Sequence, residues 1–279
     1  MHKKVFNKLL PKTKPHSTPQ EYAEFTEAEY VRLLDLAASK YNFCDYGEES
    51  NEPFVVWRHD IDYSPQRALA LANIEADRNL HCVYHVLISG RYYNVFEPEV
   101  INVLKKIVKL GHGVGLHIDM DVFHIDDAVP EKILLERIAF EKNILGKILE
   151  TPIRSMSFHN YKMNEARLEE ANEICGMVNI CAPSFYRTFN KYVSDSNGIW
   201  QRDRLEDVLT ASPVPRLHVL THPVWWTAEP MSPIQRFHRA VMGRAEDNFE
   251  FYLTLMKRDG RYHEIASRIG LPGDDSDLV

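Results

Sequence analysis

Apolar segments with the spacing of strands alternate with segments that have the spacing of helices along most of this chain. The apolar run Phe54–Trp57 follows Pro53 and ends in polar residues, which is typical of a buried strand. Ser64 and Pro65 then form an N-cap and first-turn pair, which predicts a helix directly after that strand. Ahead of this unit, helical spacing predicts an outer helix over Thr26–Tyr41.

The same unit of strand and helix recurs further along the chain. Regular alternation of this kind predicts a parallel sheet with helices outside it, either an open doubly wound sheet or a closed barrel. The fold class is therefore α/β. The further strands are predicted at His81–Ile88, Val114–Ile118, Ile153–Phe158, Met177–Cys181 and Leu217–Thr221. The further helices are predicted at Pro98–Leu110, closed by Gly111, and at Pro130–Leu149 and Glu165–Ile174.

A length of 279 residues fits one domain of barrel size, because α/β barrels commonly reach about 250 residues as a single unit. We predict a polar N-terminal arm over residues 1–25 and a single domain over residues 26–279. A charged helical stretch predicted over Pro230–Arg268 forms a C-terminal extension of this domain. Its apolar residues pack either on the barrel or on a second subunit, so the sequence leaves open whether the protein forms a homo-oligomer.

The composition of the chain limits the classes of partner and the cellular location that are expected. Lys and Arg total 33 against 40 Asp and Glu, so a net charge of −7 leaves no basic surplus for nucleic acid. The 4 cysteines form no CxxC pair, as expected for reduced thiols in the cytosol. The sequence contains no run of about 18 apolar residues and no secretory signal. We therefore expect a cytoplasmic protein without a transmembrane segment and without a nucleic-acid partner.

Histidine and aspartate residues follow several of the predicted strands. Ligands of parallel α/β folds bind beyond the carboxyl ends of the strands, so these side chains are expected to share one rim. Neutral imidazoles and carboxylates suit a divalent metal such as zinc. One histidine at a strand end is more often structural, but the set together predicts a site. The residues concerned are His59, Asp60, Asp62, His117, Asp119, Asp121, His159 and His222.

Other polar and aromatic residues have competing interpretations. Trp225 lies three residues after His222, and it either stacks on a sugar or packs in the core. Asp195 lies in the turn-forming run Ser194–Gly198, and whether it also reaches the site stays open. The remaining histidines considered fall outside the strand ends, and structural roles are expected for them. They are His81, His85, His112 and His218.

Several short motifs lie at or near these strand ends. In chain order they are RHDID at 58–62, GHGVGLH at 111–117, SFH at 157–159, SDS at 194–196 and LTHP at 220–223. As a set between Phe54 and Trp226, they resemble the polysaccharide deacetylase superfamily of NodB-like carbohydrate esterases, and within it a divergent bacterial branch met in surface-polysaccharide gene clusters. The resemblance implies a distorted (β/α) barrel with about seven parallel strands and a metal, usually zinc, at its rim.

The resemblance also implies roles for individual residues. In the family, one carboxylate after the first strand is the general base and another binds the metal, and a late histidine is the general acid. By position, Asp60 resembles the base, Asp62 the ligand, His117 the first metal histidine and His222 the acid. Asp60 and Asp62 are separated by one residue where the family has adjacent carboxylates, so their roles are interchangeable on this basis.

The chain departs from the family pattern at the second metal histidine. That histidine is expected four residues after His117, where this sequence has Asp121. The family's arginine-proline motif near the fourth strand is likewise replaced by a segment that contains His159. We expect His159 to supply the missing imidazole, with Asp121 as the alternative oxygen ligand.

Together these residues indicate a metal-dependent hydrolase that removes an N-acyl group, first of all N-acetyl, from an amino sugar. Asp195 and Trp225 are the expected substrate contacts. A small or lipid-linked precursor of a bacterial surface polysaccharide such as lipopolysaccharide is expected, because no export signal is present. The alternatives are a hydrolase of another C–N bond, such as a cyclic amide or formamide, and a non-catalytic carbohydrate-binding relative. Asp121 in place of the expected histidine favours the last of these.

Overall fold

The chain divides into two compact units, Met1–Pro233 and Ile234–Val279, in a computed structural model. The first unit contains the complete sheet, and most of the described part of the second is one long helix. A single domain over residues 26–279 stays a prediction. The residues that the structure describes are 22, 24–48, 50–120, 130–159, 168 and 171–259.

Strands and helices alternate through the first unit as the sequence predicts. The helices are α1 (Glu27–Ala38), α2 (Pro65–Ala76), α3 (Pro98–Lys109), α4 (Glu131–Leu149), α5 (Pro183–Tyr186) and α6 (Leu205–Thr210). The strands are β1 (Asn42–Phe43), β2 (Phe54–Ile61), β3 (Val83–Leu87), β4 (Gly113–Asp119), β5 (Ser155–His159), β6 (Glu173–Ile174), β7 (Met177–Asn179), β8 (Lys191–Ser194) and β9 (Arg216–Thr221). The long helix is α7 (Pro233–Arg258).

The strands form one sheet in the order β6-β7-β5-β4-β3-β2-β9-β8, with β1 paired to β2 beside this path. The seven strands from β7 to β8 along this path run parallel, and only β6 runs antiparallel to its neighbour among the described strands. The sheet is curled into a half-barrel. The predicted α/β class with about seven parallel strands is confirmed, and the sheet of the described residues is a half-barrel and not a closed one.

Capping residues fix several of the predicted helix boundaries. The Thr26 hydroxyl accepts a hydrogen bond of 3.2 Å from the Glu29 backbone N–H at the start of α1. The Ser64 hydroxyl does the same for the Arg67 N–H, also at 3.2 Å, at the start of α2. Gly111 follows α3 with φ of +94°, a conformation that glycine adopts without strain. These local signals explain why the helix boundaries predicted from the sequence lie close to the observed ones.

The helix predicted over Glu165–Ile174 is wrong at its C-terminal end. Glu173–Ile174 form β6, antiparallel to β7, and most of the remaining predicted helix lies outside the described residues. Cys175 and Gly176 have φ of +52° and +70°, the left-handed conformations of a two-residue hairpin turn that reverses the chain. The apolar spacing before this turn is helical, but the turn pairs Glu173–Ile174 with β7 as a strand.

The inner face of the half-barrel changes from apolar to polar along β2. All eight residues of β2 are buried, and alternate side chains point to opposite faces. Phe54 and Val56 lie in an apolar cluster with Tyr46 and Val83 at the amino end. The next residue on the same face is Arg58, so the polar site begins directly above this cluster.

The outer face of β2 carries a second buried polar group, centred on Glu75 of α2. Glu75 Oε1 lies 2.7 Å from His59 Nε2 and also accepts a hydrogen bond from the Tyr30 hydroxyl. The Tyr84 hydroxyl donates to Glu75 Oε2 at 2.6 Å, and His59 Nδ1 lies 2.8 Å from the Thr221 hydroxyl. His59, which belongs to the predicted strand-end set, therefore faces away from the inner rim.

None of the helices within the described ranges combines the length and the apolar character that crossing a membrane requires. This agrees with the absence of a long apolar run in the sequence. The longest described helix, α7, has 26 residues and carries charged side chains between Arg236 and Glu250 and again at Lys257 and Arg258.

Candidate functional site

The carboxyl ends of the inner strands bring the predicted metal residues together. Asp60 lies in β2 and Asp62 follows two residues later, so the pleat of the strand turns both carboxylates to the inner face. β4 lies two strands away and presents His117, and β5, the next strand, presents His159. The separation of the two carboxylates by one residue therefore keeps them in the same site.

Asp62 lies between two imidazoles. Its Oδ1 is 3.4 Å from His117 Nε2 and 3.4 Å from His159 Nδ1, and the three donor atoms lie within 4.8 Å of one another. This oxygen is buried without a hydrogen-bond partner among the described residues. A tetrahedral zinc with bonds of about 2.0–2.1 Å separates its ligand atoms by about 3.3–3.4 Å. The three side chains therefore fit a divalent metal.

The same arrangement sets the charge of this group. Burial by itself raises the pKa of Asp62, but the neighbouring His117 and His159 more than offset it, and the pKa lies well below its usual range. Burial lowers the pKa of His159, whereas Asp62 raises it, with a net rise. Asp62 is thus an ionised carboxylate, the form that binds metal ions.

Asp60 has a different neighbour, the buried guanidinium of Arg58. Arg58 Nε donates to Asp60 Oδ1 at 2.7 Å and Nη2 donates to Oδ2 at 2.5 Å. Burial raises the pKa of Asp60, but Arg58 lowers it more, to well below the usual range. Asp60 Oδ2 also lies 3.5 Å from His117 Nε2. Because the Arg58 guanidinium balances the charge of Asp60 and binds both of its oxygens, this pairing favours Asp62 as the metal ligand. Asp60, His85 and His117 form a second group of close donor atoms.

His222 lies at the end of β9 with a buried aspartate behind it. Its Nδ1 is 2.6 Å from Asp195 Oδ1, and its backbone N–H donates to both Asp195 oxygens at 3.0 and 3.1 Å. Trp226 Nε1 donates to Asp195 Oδ2 at 2.9 Å. Burial lowers the pKa of His222, but the hydrogen bond to Asp195 raises it to about 9. His222 Nε2 lies 3.7 Å from Asp62 Oδ2, so a protonated imidazole faces the centre.

A cavity of about 320 Å³ opens above these residues. Trp225 lines it and is 7% exposed. Its indole Nε1 is buried and has no hydrogen-bond partner in the described part of the chain. Tyr63 is tilted against the Trp225 ring, with centroids 6.0 Å apart. The other lining side chains include Arg58, Asp60, Asp62, His117, Phe158, His159, Tyr186, Tyr192, Ser196 and His222.

The structure thus gathers most of the predicted site, with differences at particular residues. Asp60, Asp62, His117, His159 and His222 surround one cavity. Asp195 is fully buried behind His222, and Asp121 lies outside the described residues. Arg58 is not among the predicted site residues, and only a structural role is predicted for His85. The spacing of Arg58 two residues before Asp60 was an available signal, because such a pair shares one face of a strand.

No protein-family model and no curated protein matches this sequence. Among solved structures, a CE4 family pseudoenzyme from Bacillus anthracis aligns with a TM-score of 0.40 and 10% identity over 72% of this chain. The chain spans 63% of that pseudoenzyme and 65% of a mutant of it with restored enzymatic activity, less than two thirds of their length.

Two further structures are similar to the chain. The catalytic domain of a peptidoglycan N-acetylglucosamine deacetylase from Eubacterium rectale aligns with a TM-score of 0.44 and 12% identity, covering 75% of this chain and 90% of that domain. A family 4 acetyl xylan esterase from Clostridium thermocellum, in complex with a cobalt ion, gives a TM-score of 0.36 and 13% identity, covering 80% and 95%. At such identities the likeness concerns the backbone and not the residues of the site.

Proposed function

We propose that this protein is a metal-dependent hydrolase that removes an N-acyl group, N-acetyl first of all, from an amino sugar. The observation that carries the proposal is the buried Asp62 oxygen, which lies 3.4 Å from both His117 and His159 without a hydrogen-bond partner among the described residues. The motif resemblance at the strand ends supports the N-acyl sugar as substrate.

Asp62, His117 and His159 are the residues that would hold the metal, zinc foremost. When bound, the metal supplies Lewis-acid polarisation of the acyl carbonyl and of the attacking water. Arg58 holds Asp60 ionised and in place through two hydrogen bonds. Asp60 then takes the proton of the water that attacks the amide carbonyl.

His222 acts at the other end of the reaction, where the amide C–N bond breaks. Its raised pKa keeps it protonated at neutral pH, so it donates a proton to the leaving amine nitrogen. Both carboxylate oxygens of Asp195 are already hydrogen-bonded, one to His222 and the other to Trp226. We therefore assign Asp195 a positioning role behind His222 in place of the substrate contact expected from the sequence.

The size and lining of the cavity suit a small substrate group such as one sugar unit. A volume of about 320 Å³ lies at the lower end of the range of about 300–1,000 Å³ usual for small-molecule sites. Tyr63 and Trp225 give it an aromatic wall suited to a sugar face. We propose a cytoplasmic precursor of a surface polysaccharide, small or lipid-linked, as the substrate.

Metal content and hydrolysis test this proposal together. We expect about one equivalent of metal in the natural protein by elemental mass spectrometry and its loss in His117→Ala. The exposed His238 provides a matched control, and His238→Ala is expected to retain the metal. A panel of N-acetyl amino sugars, N-formyl amino sugars and cyclic amides then identifies the bond cleaved. A natural protein that takes up no metal, even after zinc is added, would overturn the proposal.

A further inference from the structure

A chain of hydrogen bonds runs from the back of His117 into the inner core. His117 Nδ1 lies 2.6 Å from Ser157 Oγ, and the same oxygen lies 2.7 Å from His85 Nδ1. His85 Nε2 in turn lies 3.0 Å from Ser155 Oγ. All four side chains are buried. These residues come from β3, β4 and β5, so the chain, called here the relay, links three neighbouring strands.

The proton count gives the relay a direction. A hydroxyl has one proton, so Ser157 between two imidazole nitrogens donates to one and accepts from the other. His117 turns Nε2 toward Asp62, and a nitrogen that binds a metal carries no proton. With a metal on Nε2, the proton of the neutral His117 ring would sit on Nδ1 and be donated to Ser157. Ser157 would then donate to His85 Nδ1, and the Nε2–H of His85 would donate to Ser155.

Gly115 provides an independent sign that this position is built for the His85 ring. A Cβ at Gly115 would overlap the His85 ring and lie 2.7 Å from Ser155 Oγ. The strand β4 therefore passes His85 at a distance that only glycine permits. Burial and the nearby charge of Arg58 also lower the pKa of His85 well below its usual value, in keeping with a neutral ring.

We propose that Ser157 and His85 are positioning residues that fix the donor nitrogen of His117 and so set the affinity of the centre for its metal. The proposal rests on the proposed function, because it takes His117 as a ligand. Hydrogen-bonded partners of a metal histidine orient the ring and fix its tautomer, and their loss typically costs 10–100-fold in affinity.

Zinc affinity, measured by competition with a chelator, tests the relay. Ser157→Ala is expected to weaken zinc binding by about 10–100-fold, whereas Ser157→Thr keeps the hydroxyl and is expected to restore most of it. Gly115→Ala displaces the His85 ring without removing a polar group and is expected to weaken binding as well. Thermal unfolding confirms that each variant is folded. Wild-type affinity in a folded Ser157→Ala variant would overturn the relay.

Nitrogen-15 NMR of the histidine rings gives a readout that does not depend on folding of a variant. In the natural protein loaded with zinc, His85 is expected to carry its proton on Nε2 and to accept at Nδ1. A proton on His85 Nδ1 would contradict the proposal. If the natural protein binds no zinc, the proposed function fails. If it binds zinc and Ser157→Ala binds equally well, only the relay fails.

Discussion

At the scale of single residues, the two carboxylates of the Asp60-Ile61-Asp62 segment differ through their neighbours. Arg58 holds both oxygens of Asp60, whereas Asp62 Oδ1 faces two imidazoles. Their separation by one residue puts both on the inner face, but the identical chemistry of two aspartates does not say which binds metal. The position of Arg58 favours Asp62 as the ligand of the proposed metal.

This difference predicts opposite results for a matched pair of variants. Asp62→Asn is expected to lose most of the bound metal, because an amide oxygen carries no charge to attract the cation. Asp60→Asn is expected to keep the metal but to reduce kcat by about 10²–10⁴-fold, the usual contribution of a general base. Elemental analysis and initial rates measure the two effects. Metal loss in Asp60→Asn with retention in Asp62→Asn would exchange the two roles.

His222 gives a prediction for the pH dependence of activity. Its pKa is raised to about 9 because Asp195 hydrogen-bonds Nδ1. A general acid must be protonated, so kcat/KM is expected to fall as the pH rises through about 9. Asp195→Asn removes the charge that raises the pKa, and the fall should then begin at a lower pH.

The control for this variant is Trp226→Phe, which removes one hydrogen bond to Asp195 and leaves its charge. We expect a smaller displacement of the alkaline limb than in Asp195→Asn. The pH profile of kcat/KM, measured for the natural protein, Asp195→Asn and Trp226→Phe, tests this prediction. An identical alkaline limb in all of them would show that Asp195 does not tune His222.

At the scale of elements, β2 has polar groups on both faces. Its inner face carries Arg58 and Asp60, and its outer face carries His59, which contacts Glu75 of α2. Glu75 also accepts hydrogen bonds from Tyr30 of α1 and Tyr84 of β3. This buried group ties two helices to the strand that carries Arg58 and Asp60, so its loss is expected to affect stability.

Glu75→Gln is expected to destabilise the protein by about 1.5–3 kcal/mol at neutral pH, the usual contribution of a hydrogen bond to a charged group. Burial raises the pKa of Glu75, but His59 lowers it more, so the folded-state pKa lies below the unfolded one. The stabilisation by this carboxylate is therefore present above the unfolded pKa of about 4.3 and is lost as the pH falls toward the folded value.

Urea unfolding at pH 7 and near pH 4 checks this prediction. The difference in the free energy of unfolding between the natural protein and Glu75→Gln is expected to shrink at the lower pH. The exposed Glu131 of α4 supplies a control, since Glu131→Gln is expected to change stability little. A difference that stays constant with pH would contradict an ionised Glu75.

At the scale of the whole molecule, the site is assembled from strands that lie far apart in the sequence. Asp62 follows β2, His117 and His159 belong to β4 and β5, and His222 follows β9. A metal bound by Asp62, His117 and His159 would join three separate strand ends. Metal binding is therefore expected to stabilise the folded unit as a whole.

Thermal unfolding with and without zinc tests this coupling. Zinc at 100 times its Kd is expected to stabilise the natural protein by about 2.7 kcal/mol through mass action. The rise in Tm should disappear in His159→Ala and remain in His238→Ala. An equal rise in His159→Ala would show that zinc binds elsewhere and would remove His159 from the ligand set.

The features that depend on local pattern follow from the amino-acid sequence alone. Alternating apolar segments specify the central strands, and Thr26 and Ser64 mark helix starts through hydrogen bonds to backbone groups three residues away. The grouping of polar residues at the ends of parallel strands also follows from the pattern, because all such ends lie on one rim. Most of the candidate site could be predicted in this way.

Which of these side chains are neighbours depends on how the strands pack together. Strand β8 is short and carries polar residues at both ends, so no local pattern predicts the strand that leads to Asp195. The contact of Asp195 with His222 joins residues 27 positions apart. The contact of His85 with Ser157 joins residues 72 positions apart. Such contacts depend on strand order and register, which long-range packing sets and which no local spacing records.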